Sequence, residues 1–187
     1  MVDYPEALER RHILADGRSV VIRPIRAEDE AATRVFFQRL CPESLRMRFM
    51  KFVRQLNDRL LHGFTHVDYE SRMAFVCETV VAGEPRLVGE ARYAAIENIR
   101  SCDFGIVIAD EWRKTGIAGL LMLALMDHAR SRGFETMESI VLRDNRDMLR
   151  FVRALGFEVR KVPGEPTVLQ VTKRLARYAG AGSPSPN

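Results

Sequence analysis

Cysteines and long apolar runs are both scarce in this 187-residue chain. Cys41, Cys77 and Cys102 are scattered and form no Cys-x-x-Cys pair, so the sequence predicts no disulfide framework and favours a reducing compartment. No apolar run approaches the roughly 18 residues of a membrane-spanning helix, and the N-terminus lacks the basic and apolar regions of a signal peptide. We therefore predict a cytoplasmic protein with no membrane partner.

Lysine is scarce as well, since four of the 29 basic residues are lysines and the other 25 are arginines. Genomic codon bias is one explanation. The other is a surface for phosphates or acidic partners, because guanidinium groups bind oxyanions bidentately. Residues 34 to 59 hold seven basic residues against Glu43 and Asp58, which favours attraction of an anionic ligand. Because no nucleic-acid-binding motif accompanies them, we predict no nucleic-acid partner.

Hydrophobic periodicity divides the chain into the strands and helices of one domain. We predict this domain over residues 12–176, with flexible tails at 1–11 and 177–187. The predicted strands are 12–14, 19–25, 73–81, 86–96, 103–109, 134–142, 157–161 and 167–175, and the predicted helices are 27–40, 43–52, 57–63, 117–132 and 145–155. This order predicts an α/β fold with a single mixed, largely antiparallel sheet and helices on both faces.

The stretch from Asp103 to Gly119 carries the clearest chemical pattern. A predicted strand runs into a short loop, and the loop opens an apolar helix at Gly116. Consecutive backbone N–H groups at a helix start can bind a pyrophosphate, and Arg113 and Lys114 add positive charge beside them. The alternative is that Gly116 and Gly119 simply allow tight packing of the helix on the sheet. Neither a Walker A loop nor a dinucleotide-binding GxGxxG fingerprint is present.

Two signatures in this region and beyond it resemble the GNAT family of N-acetyltransferases. Arg113-Lys-Thr-Gly116-Ile-Ala118 resembles the family's Q/R-x-x-G-x-G/A loop, and Asn145 followed by Gly156-Phe157 resembles its second signature. Shorter matches resemble the acetyltransferase domain of bacterial protein-lysine acetyltransferases: Ile22-Arg23-Pro24-Ile25, Arg48-Phe49, Asp68-Tyr69, Val88-Gly89 and Arg92-Tyr93. The resemblance covers residues 12 to 175.

The resemblance implies acetyl-CoA as co-substrate, held in a splay between two central strands. Its pantetheine would pair with the backbone of Val107, Ile108 and Ala109. Asn145 would lie near the thiol. The pyrophosphate would be held by the loop and the first helical turn, through Arg113, Lys114, Thr115, Gly116, Ile117, Ala118 and Gly119.

Direct transfer to an amine requires a base and an oxyanion donor. A lysine-type amine has a pKa of about 10.4, so it must lose a proton before it attacks. The resemblance places Asp103 where lysine acetyltransferases carry a glutamate, and Glu90 on the preceding strand is the other candidate base. A strand N–H near Val107 is the candidate oxyanion donor. Val152 stands where many relatives carry a tyrosine that protonates the departing thiolate.

A histidine pair raises the question of a metal. His62 and His66 are four residues apart, but Gly63 disfavours a helix between them and the sequence suggests no third ligand. We therefore predict no metal.

The sequence thus predicts an acetyl-CoA-dependent N-acetyltransferase whose acceptor is a protein lysine. A small-molecule amine is the alternative acceptor, and a non-catalytic acyl-CoA-binding module is the alternative from another class. The basic stretch 34–59 further predicts an acidic sequence around the acceptor lysine. Whether the protein forms a homodimer stays open.

Overall fold

A hairpin begins the sheet, because an Asp-Gly pair joins two strand-forming runs. β1 (Arg10–Ile13) and β2 (Ser19–Pro24) pair antiparallel, and Gly17 in the turn has φ +84°, a left-handed conformation that favours glycine. The structure, a computed structural model, describes residues 3–50 and 56–175. The predicted tail 177–187, the domain end at 176 and the predicted helix end at 52 lie outside these residues.

Three helices follow the hairpin: α1 (Glu30–Gln38), α2 (Pro42–Phe49) and α3 (Asp58–Thr65). Pro42 begins α2, because the first turn of a helix does not need the N–H that proline lacks. The Asn57 side chain caps α3 by accepting a hydrogen bond from the Leu60 amide at 2.8 Å.

Six more strands complete one eight-stranded sheet, and two more helices lie between them in the chain. They are β3 (Arg72–Val81), β4 (Glu84–Ala95), β5 (Ser101–Ile108), α4 (Ile117–Ser131), β6 (Thr136–Leu142), α5 (Arg146–Ala154), β7 (Glu158–Val162) and β8 (Glu165–Arg174). The strand order is β1-β2-β3-β4-β5-β6-β8-β7. Every neighbouring pair is antiparallel except β5 and β6, which are parallel. The prediction of a mixed, largely antiparallel sheet is confirmed.

Alternation along β4 shows that helices cover both faces of the sheet. The Tyr93 hydroxyl lies 2.9 Å from Nδ1 of His128 on α4, whereas the guanidinium of Arg92 lies 3.6 Å from the ring centroid of Phe64 on α3. Because neighbouring strand residues point to opposite faces, α4 covers one face and α3 the other.

The α4 helix is buried on one side, although its sequence is apolar over most of its length. Leu121, Met122 and Leu125 are fully buried against the sheet, but Leu123 is 52% exposed. No helix within the described residues is long and apolar enough to cross a membrane.

The N-terminal segment is held more firmly than its polar sequence predicted. The Tyr4 hydroxyl donates to the Glu9 carboxylate at 2.6 Å, and the Arg26 guanidinium lies 4.4 Å from the Tyr4 ring centroid. β1 begins at Arg10, two residues before the predicted start of the domain. One aromatic residue thus anchors this segment to the end of β2.

Candidate active site

The strands β5 and β6 separate part-way along their length. They pair only between Ser101–Asp103 and Thr136–Glu138, whereas β5 continues against β4 to Ile108 and β6 continues against β8 to Leu142. A gap therefore opens between the two strands beyond Asp103, as the family resemblance implied. Backbone groups of β5 that face this gap have no partner on β6, so an extended ligand can pair with them.

The ladder between β4 and β5 decides which amides face the gap. The Ala109 N–H donates to the Val88 carbonyl at 2.9 Å, and this orientation recurs at every second residue of an antiparallel pair. Val107 therefore directs its amide at β4, while Ile106 and Ile108 direct theirs into the gap. Of the three residues expected to pair with a pantetheine, Val107, Ile108 and Ala109, only Ile108 has this geometry. For the same reason the amide that can donate to the oxyanion belongs to Ile106 or Ile108, one residue to either side of Val107.

The loop after β5 ends at the N-terminus of α4. Gly116 has φ +95° at the N-cap position, and an added Cβ at Gly116 or Gly119 would meet no atom within 4 Å. Tight packing therefore does not explain these glycines. Because the first N–H groups of a helix have no intrahelical partner, they and the open space above them suit an anion such as a pyrophosphate.

Two side chains of this loop fix its conformation. Arg113 Nη2 donates to the Ser44 hydroxyl at 2.6 Å and lies 3.0 Å from an Asp110 carboxylate oxygen, which links the loop to α2. The Thr115 hydroxyl donates to a carbonyl of the preceding turn at 2.7 Å. Lys114 is exposed, with φ +62°. Of the two cations predicted beside a pyrophosphate, Arg113 is therefore held by protein groups, and Lys114 is exposed to solvent.

Asp103 lies where β5 and β6 part, in a cleft of about 100 Å³ that also contains Arg48, Arg72 and Arg92. Its side chain is exposed. The surrounding protein nevertheless removes enough water to raise the pKa of Asp103, against the opposing effects of a hydrogen bond with Ser139 and the charge of Arg48. A carboxylate that is accessible and more basic than usual suits a general base.

Glu90, the other candidate base, lies in a different environment. It is 2% exposed, and its Oε1 is paired with Nε of Arg92. Its Oε2 is buried and has no hydrogen-bond partner within the described part of the chain. Arg92 also donates to the Phe64 carbonyl at 3.0 Å. Glu90 thus lies beneath the cleft, whereas Asp103 is accessible from it.

The second family signature lies beyond the end of β6. Asn145 caps α5, because its Oδ1 accepts a hydrogen bond from the Met148 amide at 3.2 Å. That Asn145 lies near the thiol of CoA stays a prediction. Val152, at the position where many relatives carry tyrosine, is fully buried and has no proton to donate.

The histidine pair is arranged differently from its sequence-based interpretation. α3 continues through Gly63, and the rings of His62 and His66 stack with centroids 3.6 Å apart. Together with Glu30 they offer three ligand atoms within 4.8 Å of one another. Arg34 lies 4.0 Å from a Glu30 carboxylate oxygen, and its positive charge opposes cation binding. The absence of a metal stays a prediction.

One contact at the site has no signal in the local sequence. A Cβ on Gly105 of β5 would lie 2.6 Å from Cζ of Arg48 on α2, so the arginine guanidinium rests directly on the strand. The resemblance included Arg48-Phe49 as a motif but gave it no role. Because the two residues are far apart in sequence, only the folded arrangement brings Arg48 beside Asp103.

Comparison with known families agrees with this geometry. Residues 19–158 match the family model described as "Acetyltransferase (GNAT) domain". The chain belongs to the GNAT family. This GNAT chain is 39% identical to an acetyltransferase of Pseudomonas aeruginosa (PA5475) over 163 residues, which are 87% of each chain. It is therefore an acetyl-CoA-dependent N-acetyltransferase, and the gap, the loop and the N-terminus of α4 fit the acetyl donor.

Solved structures of GNAT proteins share the fold. The GNAT domain of S. lividans PAT superposes with a TM-score of 0.83 at 24% identity, over 92% of this chain and 100% of that one. Spermidine N-acetyltransferase from Vibrio cholerae, in complex with CoA and spermine, superposes with a TM-score of 0.66 at 16% identity, over 83% of this chain and 95% of that one. The fold alone therefore does not define the acceptor.

Proposed function

We propose that this enzyme transfers the acetyl group of acetyl-CoA to the ε-amine of a lysine in a protein, with Asp103 as the general base. The observation that carries the proposal is the accessible carboxylate of Asp103 in the cleft where β5 and β6 separate. An exposed base can receive a side chain presented by another protein. The resemblance of Arg48-Phe49 and Arg92-Tyr93 to motifs of bacterial protein-lysine acetyltransferases favours the same acceptor class.

In this proposal the acetyl donor lies along the open edge of β5. The amides of Ile106 and Ile108 face the gap, so they donate hydrogen bonds to the pantetheine and to the thioester carbonyl. The N-terminal N–H groups of α4 and the ammonium of Lys114 bind the pyrophosphate. Asn145 lies on the β6 side, at the start of α5.

The reaction then needs only one protonation change on the protein. Asp103 accepts the proton of the incoming ammonium, directly or through a water, because aspartate is one methylene shorter than glutamate. The neutral amine attacks the thioester carbon, a C–N bond forms, and the oxyanion accepts a hydrogen bond from a strand amide. As the C–S bond breaks, the attacking nitrogen releases its second proton to water and the sulfur leaves as thiolate, since Val152 offers it no proton. The proton on Asp103 passes to solvent.

The role of Asp103 is tested by replacing its carboxylate with an amide. We expect Asp103→Asn to lower kcat about 10²- to 10⁴-fold at neutral pH while acetyl-CoA binding is retained, because the donor site lies on backbone groups. Glu97→Gln makes the same chemical change at the exposed turn between β4 and β5 and serves as the control. Glu90→Gln tests the buried alternative, and a larger loss of kcat there than in Asp103→Asn would assign the base to Glu90.

The acceptor class is tested with a mixed panel of amines. Purified enzyme and acetyl-CoA are incubated with lysine peptides, a cell lysate, polyamines and aminoglycosides, and the products are identified by mass spectrometry. Acetyl-lysine in protein supports the proposal. Acetylation of small amines alone would favour the small-molecule alternative, to which the similarity with spermidine N-acetyltransferase points. Tight acetyl-CoA binding without transfer to any amine would favour a non-catalytic module.

A further inference from the structure

Arg48 is partly buried, and its guanidinium makes no ion pair within the described residues. Its guanidinium lies 5.3 Å from the Phe49 ring centroid and 5.9 Å from that of Phe64. Its Nε is buried with no hydrogen-bond partner, and within the described residues no carboxylate is in ion-pair contact with it. Removing a guanidinium from water without such a partner is costly. The arrangement therefore favours a ligand that supplies the missing negative charge.

The charged groups around Arg48 are already engaged or lie at a distance. Burial lowers the pKa of Arg48. The negative charges of Glu90 and Asp103 oppose that change, and the positive charge of Arg92 adds to it. Glu90 is paired with Arg92, and Arg72 lies 3.9 Å from an Asp68 carboxylate oxygen. Of the three arginines in the cleft, Arg48 is thus the one that makes no ion pair within the described residues, because Glu90 and Asp103 act on it only through longer-range charge.

The position of Arg48 relative to the base defines a two-point site. Its guanidinium rests on Gly105, and Gly105 and Asp103 lie on the same face of β5, two residues and about 7 Å apart. An acceptor amine at Asp103 therefore has the Arg48 guanidinium at the neighbouring position on the same face of β5.

We propose that Arg48 binds a carboxylate of the acceptor, so that the enzyme selects amines that carry a negative charge close to the reacting nitrogen. The inference rests on the proposed function, because it needs an acceptor amine at Asp103. The carboxylate comes either from an Asp or Glu side chain beside a lysine in a protein or from the acid group of a free amino acid. Polyamines, which offer only positive charge, are disfavoured.

Gly105 is part of this site, because its missing side chain makes room for the guanidinium. An added Cβ would lie 2.6 Å from Cζ of Arg48 and 2.8 Å from each of its Nη atoms. Gly105→Ala therefore displaces the cation without removing it, and its backbone needs no left-handed conformation. This variant complements Arg48→Met, which keeps the bulk between the two phenylalanine rings but removes the charge.

The experiment measures kcat/KM for matched acceptors with and without the carboxylate. One pair is a lysine peptide with aspartate beside the lysine and the same peptide with asparagine. The other pair is free lysine and cadaverine. We expect the acidic member of at least one pair to be favoured about 10- to 100-fold, as for a charge-assisted hydrogen bond. The pair that shows the preference identifies the source of the carboxylate.

In Arg48→Met and Gly105→Ala we expect that preference to fall to within about threefold of unity, because both changes remove the guanidinium from the position where the acceptor carboxylate would bind. Arg59→Gln removes the same charge from an exposed position on α3 and should keep the preference. Calorimetric binding of acetyl-CoA confirms that each variant is folded.

Three results would overturn the inference. The wild-type enzyme could use both members of each pair equally, Arg48→Met and Gly105→Ala could retain the preference, or Arg59→Gln could lose it to the same extent. Transfer without preference would leave the proposed function intact. Absence of transfer to any amine would overturn both.

Discussion

Arg23 is buried and Arg48 is partly buried, and the surroundings of the two arginines are opposite. Arg23 donates to both carboxylate oxygens of Asp29 at 2.7 and 2.8 Å and to Glu78 at 2.7 Å. Arg48 lies beside the rings of Phe49 and Phe64, and its Nε has no hydrogen-bond partner in the part of the chain that the structure describes. Burial by itself lowers the pKa of both, but the hydrogen bonds to Asp29 and Glu78 raise that of Arg23.

The difference separates polar groups that stabilise the fold from those that await a ligand. Arg23 joins β2, the start of α1 and β3 far from the cleft, and each of its nitrogens is hydrogen-bonded. Arg48 faces the cleft beside Asp103. A group that is satisfied by the protein contributes stability, whereas a buried group left unsatisfied lowers stability until something binds it.

The largest effect expected from this comparison concerns stability. Arg23→Met leaves Asp29 and Glu78 without their partner, so we expect the free energy of unfolding to fall by about 3–5 kcal/mol. Arg48→Met leaves no ion-pair partner behind within the described residues, so we expect the free energy of unfolding to change by no more than about 1 kcal/mol. Urea denaturation followed by circular dichroism measures both, and a loss in Arg48→Met as large as that in Arg23→Met would contradict the distinction.

The second effect concerns the unsatisfied N–H groups at the N-terminus of α4. We expect Gly116→Glu to weaken acetyl-CoA binding by about 100-fold or more, because the new carboxylate fills the anion site and repels the pyrophosphate. Gly133, just beyond the other end of α4, also has positive φ and open space around it. Gly133→Glu therefore imposes the same charge and similar backbone strain, and calorimetry should show unchanged acetyl-CoA affinity.

A smaller effect concerns Asp103. Because its pKa is raised in the folded protein, the folded state binds the proton more tightly than the unfolded chain, and stability falls as pH rises from the unfolded pKa of about 3.9 through the folded one. We expect Asp103→Asn to be slightly more stable than the wild type at pH 7, with the difference vanishing below about pH 4. Thermal unfolding across this range tests the sign. A less stable variant at pH 7 would show that Asp103 serves the fold.

The smallest expected effect is that of a chelator. Since Arg34 opposes a cation at the group formed by Glu30, His62 and His66, we expect EDTA to leave both kcat and the melting temperature unchanged. A loss of either, restored by one added divalent metal, would instead identify this group as a metal site.

Patterns that act within one segment predicted most of the molecule. The two strands of the first hairpin, the start of α4 after Gly116 and the start of α5 after Asn145 each depend on a few neighbouring residues, and the structure has them where the sequence indicated. Gly63 shows the limit of such rules. It lies within α3, which packs against α1, so a glycine that disfavours helices elsewhere does not interrupt this one.

The parts that sequence did not predict depend on contacts between distant segments. The phase of β5, which sends the amides of Ile106 and Ile108 into the gap, is set by its register with β4 and not by its own residues. The approach of Arg48 to Gly105 requires α2 to lie across β5. Glu30 joins the histidine pair because α1 packs against α3. Each is a tertiary contact that no local pattern encodes.

The incomplete pairing of β5 with β6 has a consequence for folding energetics. Five strands on one side and three on the other are connected in the sheet by only three residue pairs. A pantetheine in the gap would act as a short additional strand and continue the hydrogen-bond ladder across it. Acetyl-CoA concentration should then set the melting temperature by mass action, and the amides of Ile106 and Ile108 should exchange with deuterium more slowly when the donor is present.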